Sequence, residues 1–136
     1  MPEIAKYGFI EVGNWELDST LRSGIRFRLK ECQDKKVIYA FVVDDKEKYI
    51  GICQEIKTTL QKRMQRYQDQ AGAGTNERIA GEIRSCLENE NKVKILALLT
   101  PQNFYYHDLN IDFVGGLENP LIEKINPLWN RQGIEH

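Results

Sequence analysis

Apolar residues recur along the chain in two distinct rhythms. In "GIRFRLKE", Ile25, Phe27 and Leu29 alternate with Arg26, Arg28 and Lys30, the period of two that gives a strand an apolar face and a cationic one. Such a cationic face is either solvated sheet surface or an edge turned toward nucleic acid. Upstream, "KYGFIEVGNWEL" reads as a strand that pauses at Gly13-Asn14, with "STLRSG" as the following loop. Residues 37–43 are apolar on both faces, as in a central strand, and "DDKEK" turns the chain back into "YIGIC". The rhythm then lengthens. From Gln54 to Gln68, Ile56, Leu60, Met64 and Tyr67 fall at helical spacing, and "DQAGAG" ends that helix. Thr75 or Asn76 is placed to cap a second helix with Ile79, Ile83, Cys86 and Leu87 as its apolar line, closed by "ENEN". "KVKILALLTP" predicts a buried strand stopped by Pro101, and "QNFYYHDLNIDFVGG" an insertion loop with some strand content. A last helix is expected from about Leu117 to Ile125, before "NPLWN".

A chain of 136 residues fits one domain with a single core. It has no run of 18 or more apolar residues, and "MPEIAKYGF" lacks the pattern of a secretory signal. A soluble, intracellular and thus cytoplasmic protein with no membrane partner is expected. Cys32, Cys53 and Cys86 are far apart and form no CxxC, and His107 and His136 each stand alone. Buried structural thiols are therefore expected in place of a zinc site or a disulfide framework. With a net charge of -1, any contact with nucleic acid must rest on a local patch.

Helix geometry singles out two charges. Taking about 100° per residue from Ile56, Leu60 lies at about 40°, Met64 at about 80°, Tyr67 at about 20° and Arg63 at about −20°. Arg63 thus borders the apolar stripe. From Leu117, Leu121 lies at about 40°, Ile125 at about 80°, Ile122 at about 140° and Glu118 at about 100°, among them, whereas Glu123 and Lys124 fall outside the arc. Inward charges cost several kcal/mol unless paired or ligating a metal. A structural Arg63–Glu118 ion pair is one reading. The other joins them with Tyr39, Tyr49 and Tyr67 into a set suited to metal-assisted phosphodiester cleavage: a carboxylate for a hard divalent cation, an arginine for phosphate oxygens and a phenol to orient water or take its proton.

On these residues the sequence resembles the GIY-YIG nucleases. The first motif stands as Val37-Ile38-Tyr39 and the second as Tyr49-Ile50-Gly51; "RMQRY" matches the helical Arg-x-x-x-Tyr element through Arg63 and Tyr67. "ENPLIEKINPLWN" matches the closing pattern through Glu118, Leu121, Ile122, Pro127 and Asn130. The resemblance implies an α/β (α+β) fold with a central three-stranded antiparallel sheet from about 37–43, 48–53 and 93–99, flanked by helices, plus extra N-terminal strands. It divides the single domain, 1–136, into an N-terminal extension, 1–36, and a catalytic module, 37–130. It implies a metal-dependent DNA endonuclease leaving 5′-phosphate and 3′-hydroxyl ends. Tyr39 would be the general base or hydrogen-bond the nucleophilic water, with Tyr49 beside it. Arg63 would bind the scissile phosphate and Tyr67 would assist there. Glu118 would be the single protein ligand of one Mg²⁺ or Mn²⁺, and Asn130 would order the site. Two positions depart from the pattern. Val37 replaces the first motif's glycine, and Ile52 stands where a polar residue often follows the second.

Little chain remains for target selection. A compact site-specific endonuclease of the restriction type is the leading expectation, a homodimer being one way for it to cut both strands. A structure- or single-strand-selective nuclease and a catalytically silent nucleic-acid-binding module are the alternatives. Candidate DNA contacts are Arg26, Arg28 and Lys30 on the N-terminal strand, Lys57, Lys62 and Arg66 on the first helix, and His107 in the insertion.

Overall fold

The computed structural model describes residues 2–33, 37–53, 58–70, 74–99 and 105–132. After a 3-10 turn at Glu3–Tyr7 come strands β1 (Ile10–Leu17), β2 (Ile25–Leu29), β3 (Ile38–Val43) and β4 (Lys46–Ile52). Helices α1 (Leu60–Gln68) and α2 (Thr75–Glu88) precede β5 (Val93–Leu98), a small hairpin of β6 (Tyr105–Tyr106) and β7 (Leu109–Asn110), and helices α3 (Phe113–Ile125) and α4 (Leu128–Gln132). The architecture is mixed α+β.

The main sheet has five strands, in the order β2-β1-β5-β3-β4, every neighbouring pair antiparallel. This corrects the expected three-stranded sheet. The expected central strands β3, β4 and β5 are present, but β1 pairs along β5 and carries β2 with it, so the N-terminal strands extend the same sheet. The pause expected at Gly13-Asn14 is a shift of register between Glu11 and Gly13. A Cβ on Gly13 would collide with the Arg28 carbonyl oxygen, so only glycine lets the two strands approach there.

The period-two pattern divides two cores between the sheet's faces. Trp15, Ile25, Tyr39, Phe41, Val93 and Ile95 meet α1 and α2 through Leu60, Met64, Tyr67, Ile79 and Ile83. On the other face Ile38, Ala40, Val42, Ile50 and Leu96 meet Ile4, Phe9 and Leu121 of α3. Among the described residues, β3 is the strand buried along its whole length, as its uninterrupted apolar run requires.

Some boundaries differ from expectation. The β3–β4 turn is narrower than "DDKEK": Asp44 and Asp45 take left-handed φ of 51° and 60°, as a two-residue hairpin turn demands, and β4 begins at Lys46. α1 begins at Leu60, where the Thr59 side chain accepts from Lys62 N, and residues 54–57 of the expected helix, Lys57 included, lie outside the described residues. The residue capping α2 is Gly74 and not Thr75 or Asn76, which lie in its first turn. α3 starts four residues before Leu117 and runs through Gly115, Gly116 and Pro120, because the Asp112 carboxylate accepts from Gly115 N and opens the helix early. Of the three cysteines, Cys53 is fully buried and Cys32 and Cys86 are half-buried against the core.

Candidate active site

Tyr39 and Tyr49 come from β3 and β4. A register shift between Phe41 and Val42 leaves Lys48 without a partner and puts Tyr49 opposite Phe41, on the face that carries Tyr39. Gly51 is paired with Tyr39 across the strands, and a Cβ there would lie 2.5 Å from the Tyr39 hydroxyl. Glycine therefore creates the channel along which the phenol reaches Tyr67, whose oxygen is 2.6 Å away. The rings of Tyr39, Phe41, Tyr49 and Tyr67 form one cluster, with centroid separations from 5.5 to 6.4 Å.

Arg63 closes the cluster from α1. Its guanidinium lies 4.6 Å from the centre of the Tyr67 ring, and Nη1 donates to Asn76 Oδ1 at 3.0 Å. A hydrogen bond toward Tyr39 adds to this. Burial works against the charge, but the negative charge that Tyr39, Tyr67 and Tyr49 acquire on ionising at high pH outweighs it and raises the Arg63 pKa above its ordinary value. The phenols of Tyr39 and Tyr67 are fully buried. Burial drives the Tyr39 pKa far above the usual phenol value, against the opposing pull of Arg63, and burial followed by the neighbouring phenols does the same to Tyr67. Both are neutral at physiological pH. Tyr49 is only half-buried and is the cluster's outlet toward solvent. Cys53 sits close enough to feel the Arg63 charge, and burial pushes its thiol up to about 11, which makes it an inert packing group.

Asn130 acts at the sheet's edge. Its Oδ1 accepts from Ile50 N and its Nδ2 donates to Ile50 O, both at 2.9 Å, so one amide completes the hydrogen bonding of β4 between Tyr49 and Gly51. The preceding residue, Trp129, is buried, and its carbonyl accepts from Arg78 Nη1 at 2.9 Å.

Glu118 comes from a different layer of the fold. It lies on α3, which covers the other face of the sheet and touches β4 from there. No hydrogen bond or ion pair joins it to Arg63 or to the tyrosines among the described residues, so the structural Arg63–Glu118 pair is absent. Its carboxyl is half-buried, and desolvation raises its pKa above the ordinary carboxylate value. Glu123 and Lys124 are exposed.

The candidate DNA contacts divide. Arg26 and Arg28 both reach Glu16 at 2.8 Å, Arg26 also reaches Asp18 at 3.8 Å, and Lys30 reaches Glu11 at 3.8 Å. The cations of β2, and Lys30 just after it, thus face outward but are matched by carboxylates of β1 and the loop after it. Lys62 and Arg66 are exposed on α1. His107 has φ of 57° at the tip of the β6–β7 hairpin, whose residues are all exposed. Ile52 packs into the core under α3, away from the phenols. Two participants escaped the sequence reading: Asn76, the acceptor for Arg63, and Gly51 as the residue that makes room for Tyr39. Gly51 was visible inside the second motif, whereas Asn76 carries no periodic or motif signal.

No protein-family model matches the chain, and no curated protein does. Solved structures do. The chain is similar to the bacteriophage T4 EndoII E118A mutant, with a TM-score of 0.68 and 25% identity over 93% of this chain and 94% of that one. The overall fold is also that of the restriction endonuclease HPY188I in complex with product DNA, with a TM-score of 0.55 and 19% identity over 90% of this chain and 75% of that one. This is a nuclease fold. No helix among the described residues is long and apolar enough to cross a membrane.

Proposed function

We propose that the protein is a DNA endonuclease of the GIY-YIG type, hydrolysing phosphodiester bonds to 5′-phosphate and 3′-hydroxyl ends with the help of one Mg²⁺ or Mn²⁺. The observation that carries this reading is the Arg63 guanidinium. It is held by an amide oxygen and a ring face, with no carboxylate partner among the described residues, so its full charge is available to a phosphate. The similarity to two nuclease structures, one of them holding product DNA, supports the substrate class.

Glu118 fits a hard cation. It is a half-buried carboxylate whose desolvation favours taking up positive charge, and no ion pair neutralises it among the described residues. No cluster of three or more His, Cys, Asp or Glu stands among those residues. Mg²⁺ is commonly held by one or two carboxylates plus substrate oxygens and water, so a single protein ligand suits it. The T4 structure carries its substitution, in its own numbering, at a glutamate. The cation supplies polarisation of the phosphate and a more acidic water.

The remaining work falls to the chain's own side chains. Arg63 grips non-bridging oxygens and stabilises the charge that builds on them in the transition state. Tyr39 and Tyr67, kept neutral by burial, donate or accept hydrogen bonds without carrying charge. Of the two roles open to Tyr39, orienting the water suits this state better than acting as base, since a buried phenol gives up its proton only when new positive charge arrives. Tyr49 is the half-buried phenol of the cluster, and Asn130 locks the strand that carries it.

The restriction-type reading leads because a restriction endonuclease shares the fold. Incubating the purified protein with plasmid, genomic and end-labelled single-stranded DNA, in Mg²⁺ or EDTA and beside Glu118→Ala, tests this reading. Discrete Mg²⁺-dependent fragments lost in the variant support site-specific cleavage, and smears or single-strand loss favour structural selectivity. Binding without cleavage would leave a silent nucleic-acid-binding module and overturn the enzymatic reading.

A further inference from the structure

Asn76 lies in the first turn of α2, and its side-chain oxygen meets Arg63 Nη1 at 3.0 Å across the α1–α2 interface. Two residues on, Arg78 Nη1 donates to the Trp129 carbonyl at 2.9 Å, next to Asn130, which clamps β4 at Ile50. One helical turn therefore braces both the guanidinium and the strand that bears Tyr49. The acceptor's type is as informative as its place. A half-buried arginine is ordinarily fixed by a carboxylate, which matches its fork and cancels its charge. An amide oxygen fixes orientation and cancels nothing.

We infer that Asn76 is a positioning residue that fixes the Arg63 guanidinium through a neutral acceptor and so keeps its charge for the scissile phosphate. The inference rests on the nuclease reading for its phosphate, but its physical content can be measured without cleavage. A carboxylate at this position, one atom different in shape, would seat the guanidinium as firmly and occupy it.

Asn76→Asp and Asn76→Ala separate this role from a merely structural one. Thermal unfolding, single-turnover DNA cleavage and an inorganic phosphate titration followed by the NMR signal of Arg63 Nε would be recorded for each. Asn76→Asp is expected to unfold at the same temperature as the unaltered protein or higher, while kcat falls by about 10–100-fold, because the contact is kept but the guanidinium's charge is neutralised before the phosphate arrives. KM should move far less. The phosphate titration should weaken about tenfold or more in the Asp variant, from the neutralised charge. Asn76→Ala should lose kcat but retain more phosphate affinity than Asn76→Asp. A purely structural contact predicts the opposite order, with activity following stability and Asn76→Asp at least as active as the unaltered chain. That result would overturn the assignment. If the unaltered protein cleaves nothing, the nuclease reading falls and the titration still decides: phosphate bound at Arg63 and lost in Asn76→Asp supports the role of Asn76, and none bound by the unaltered protein refutes it.

Discussion

The buried contact between Tyr39 and Tyr67 makes a quantitative prediction about stability that differs for its two members. The hydroxyls are 2.6 Å apart and fully enclosed, so removing one strands the other unless it has a second partner. Tyr39 has one, because Arg63 is directed at it; among the described residues the Tyr67 hydroxyl bonds to Tyr39. Tyr67→Phe thus removes one hydrogen bond and leaves Tyr39 against the guanidinium, at a cost of about 1 kcal/mol. Tyr39→Phe abandons a buried hydroxyl and one contact of Arg63, at about 1–3 kcal/mol. In the double variant the orphan disappears, so its cost should be close to that of Tyr39→Phe or below it, giving a coupling of about 1–2 kcal/mol. Urea or thermal unfolding of the four proteins measures the cycle, and 1 kcal/mol corresponds to roughly 3–6 °C in a chain of this size. Singles of equal cost, or a double variant whose cost is their sum within about 0.5 kcal/mol, would refute this account of the pair.

Other outcomes follow from the same geometry. Both buried phenols have folded-state pKa values above the unfolded value near 10, so the stability they contribute is intact below about pH 10 and is lost as pH rises above it. The loss is about 1.4 kcal/mol per pH unit for each phenol until its folded pKa is reached, and alkaline unfolding followed at the phenolate absorbance should flatten in the double Phe variant. Gly51→Ala drives a methyl group against the Tyr39 ring and hydroxyl, at about 1–3 kcal/mol of overpacking, and should abolish cleavage even where the fold survives at low temperature. Glu118→Gln removes a carboxyl whose folded pKa is raised, a group that favours folding when protonated and opposes it when charged. The variant should therefore unfold at a slightly higher temperature at pH 7, with the gap closing as pH falls through the raised pKa.

Local rhythm and motif spacing made much of this molecule legible. The uninterrupted apolar run of residues 37–43 marks a strand buried on both faces, and the alternation of Ile25, Phe27 and Leu29 marks one buried on a single face. Arg63 and Tyr67 follow from helical angle alone, because α1 is a plain amphipathic helix. Strand order is less accessible. Periodicity reports which side of a strand is buried but not what lies alongside it, so the insertion of β1 between β2 and β5 could not be read from Ile10–Leu17. Glu118 shows the limit of angular reasoning. It lies within the arc of Leu117, Leu121, Ile122 and Ile125, but periodicity does not reveal that this arc packs in the core on the opposite face from the phenols, a relation set by how α3 is placed on the sheet. The contact of Asn76 with Arg63 is a long-range polar one that its helix-start position does not announce, whereas Asn130 was marked by the closing motif and only its partner, Ile50, was not.

The cluster of three phenols and a guanidinium is held here to be a phosphodiesterase centre and not a polar island in a core. Arg63→Ala separates the two most directly, with single-turnover DNA cleavage in Mg²⁺ and thermal unfolding measured on the same preparation. Since no carboxylate is orphaned by the change among the described residues, unfolding should shift by no more than a few degrees, whereas cleavage should fall by about 10²–10³-fold, as for removal of one donor to a developing oxyanion. Cleavage that persists at the unaltered rate, or falls only in step with stability, would contradict the account.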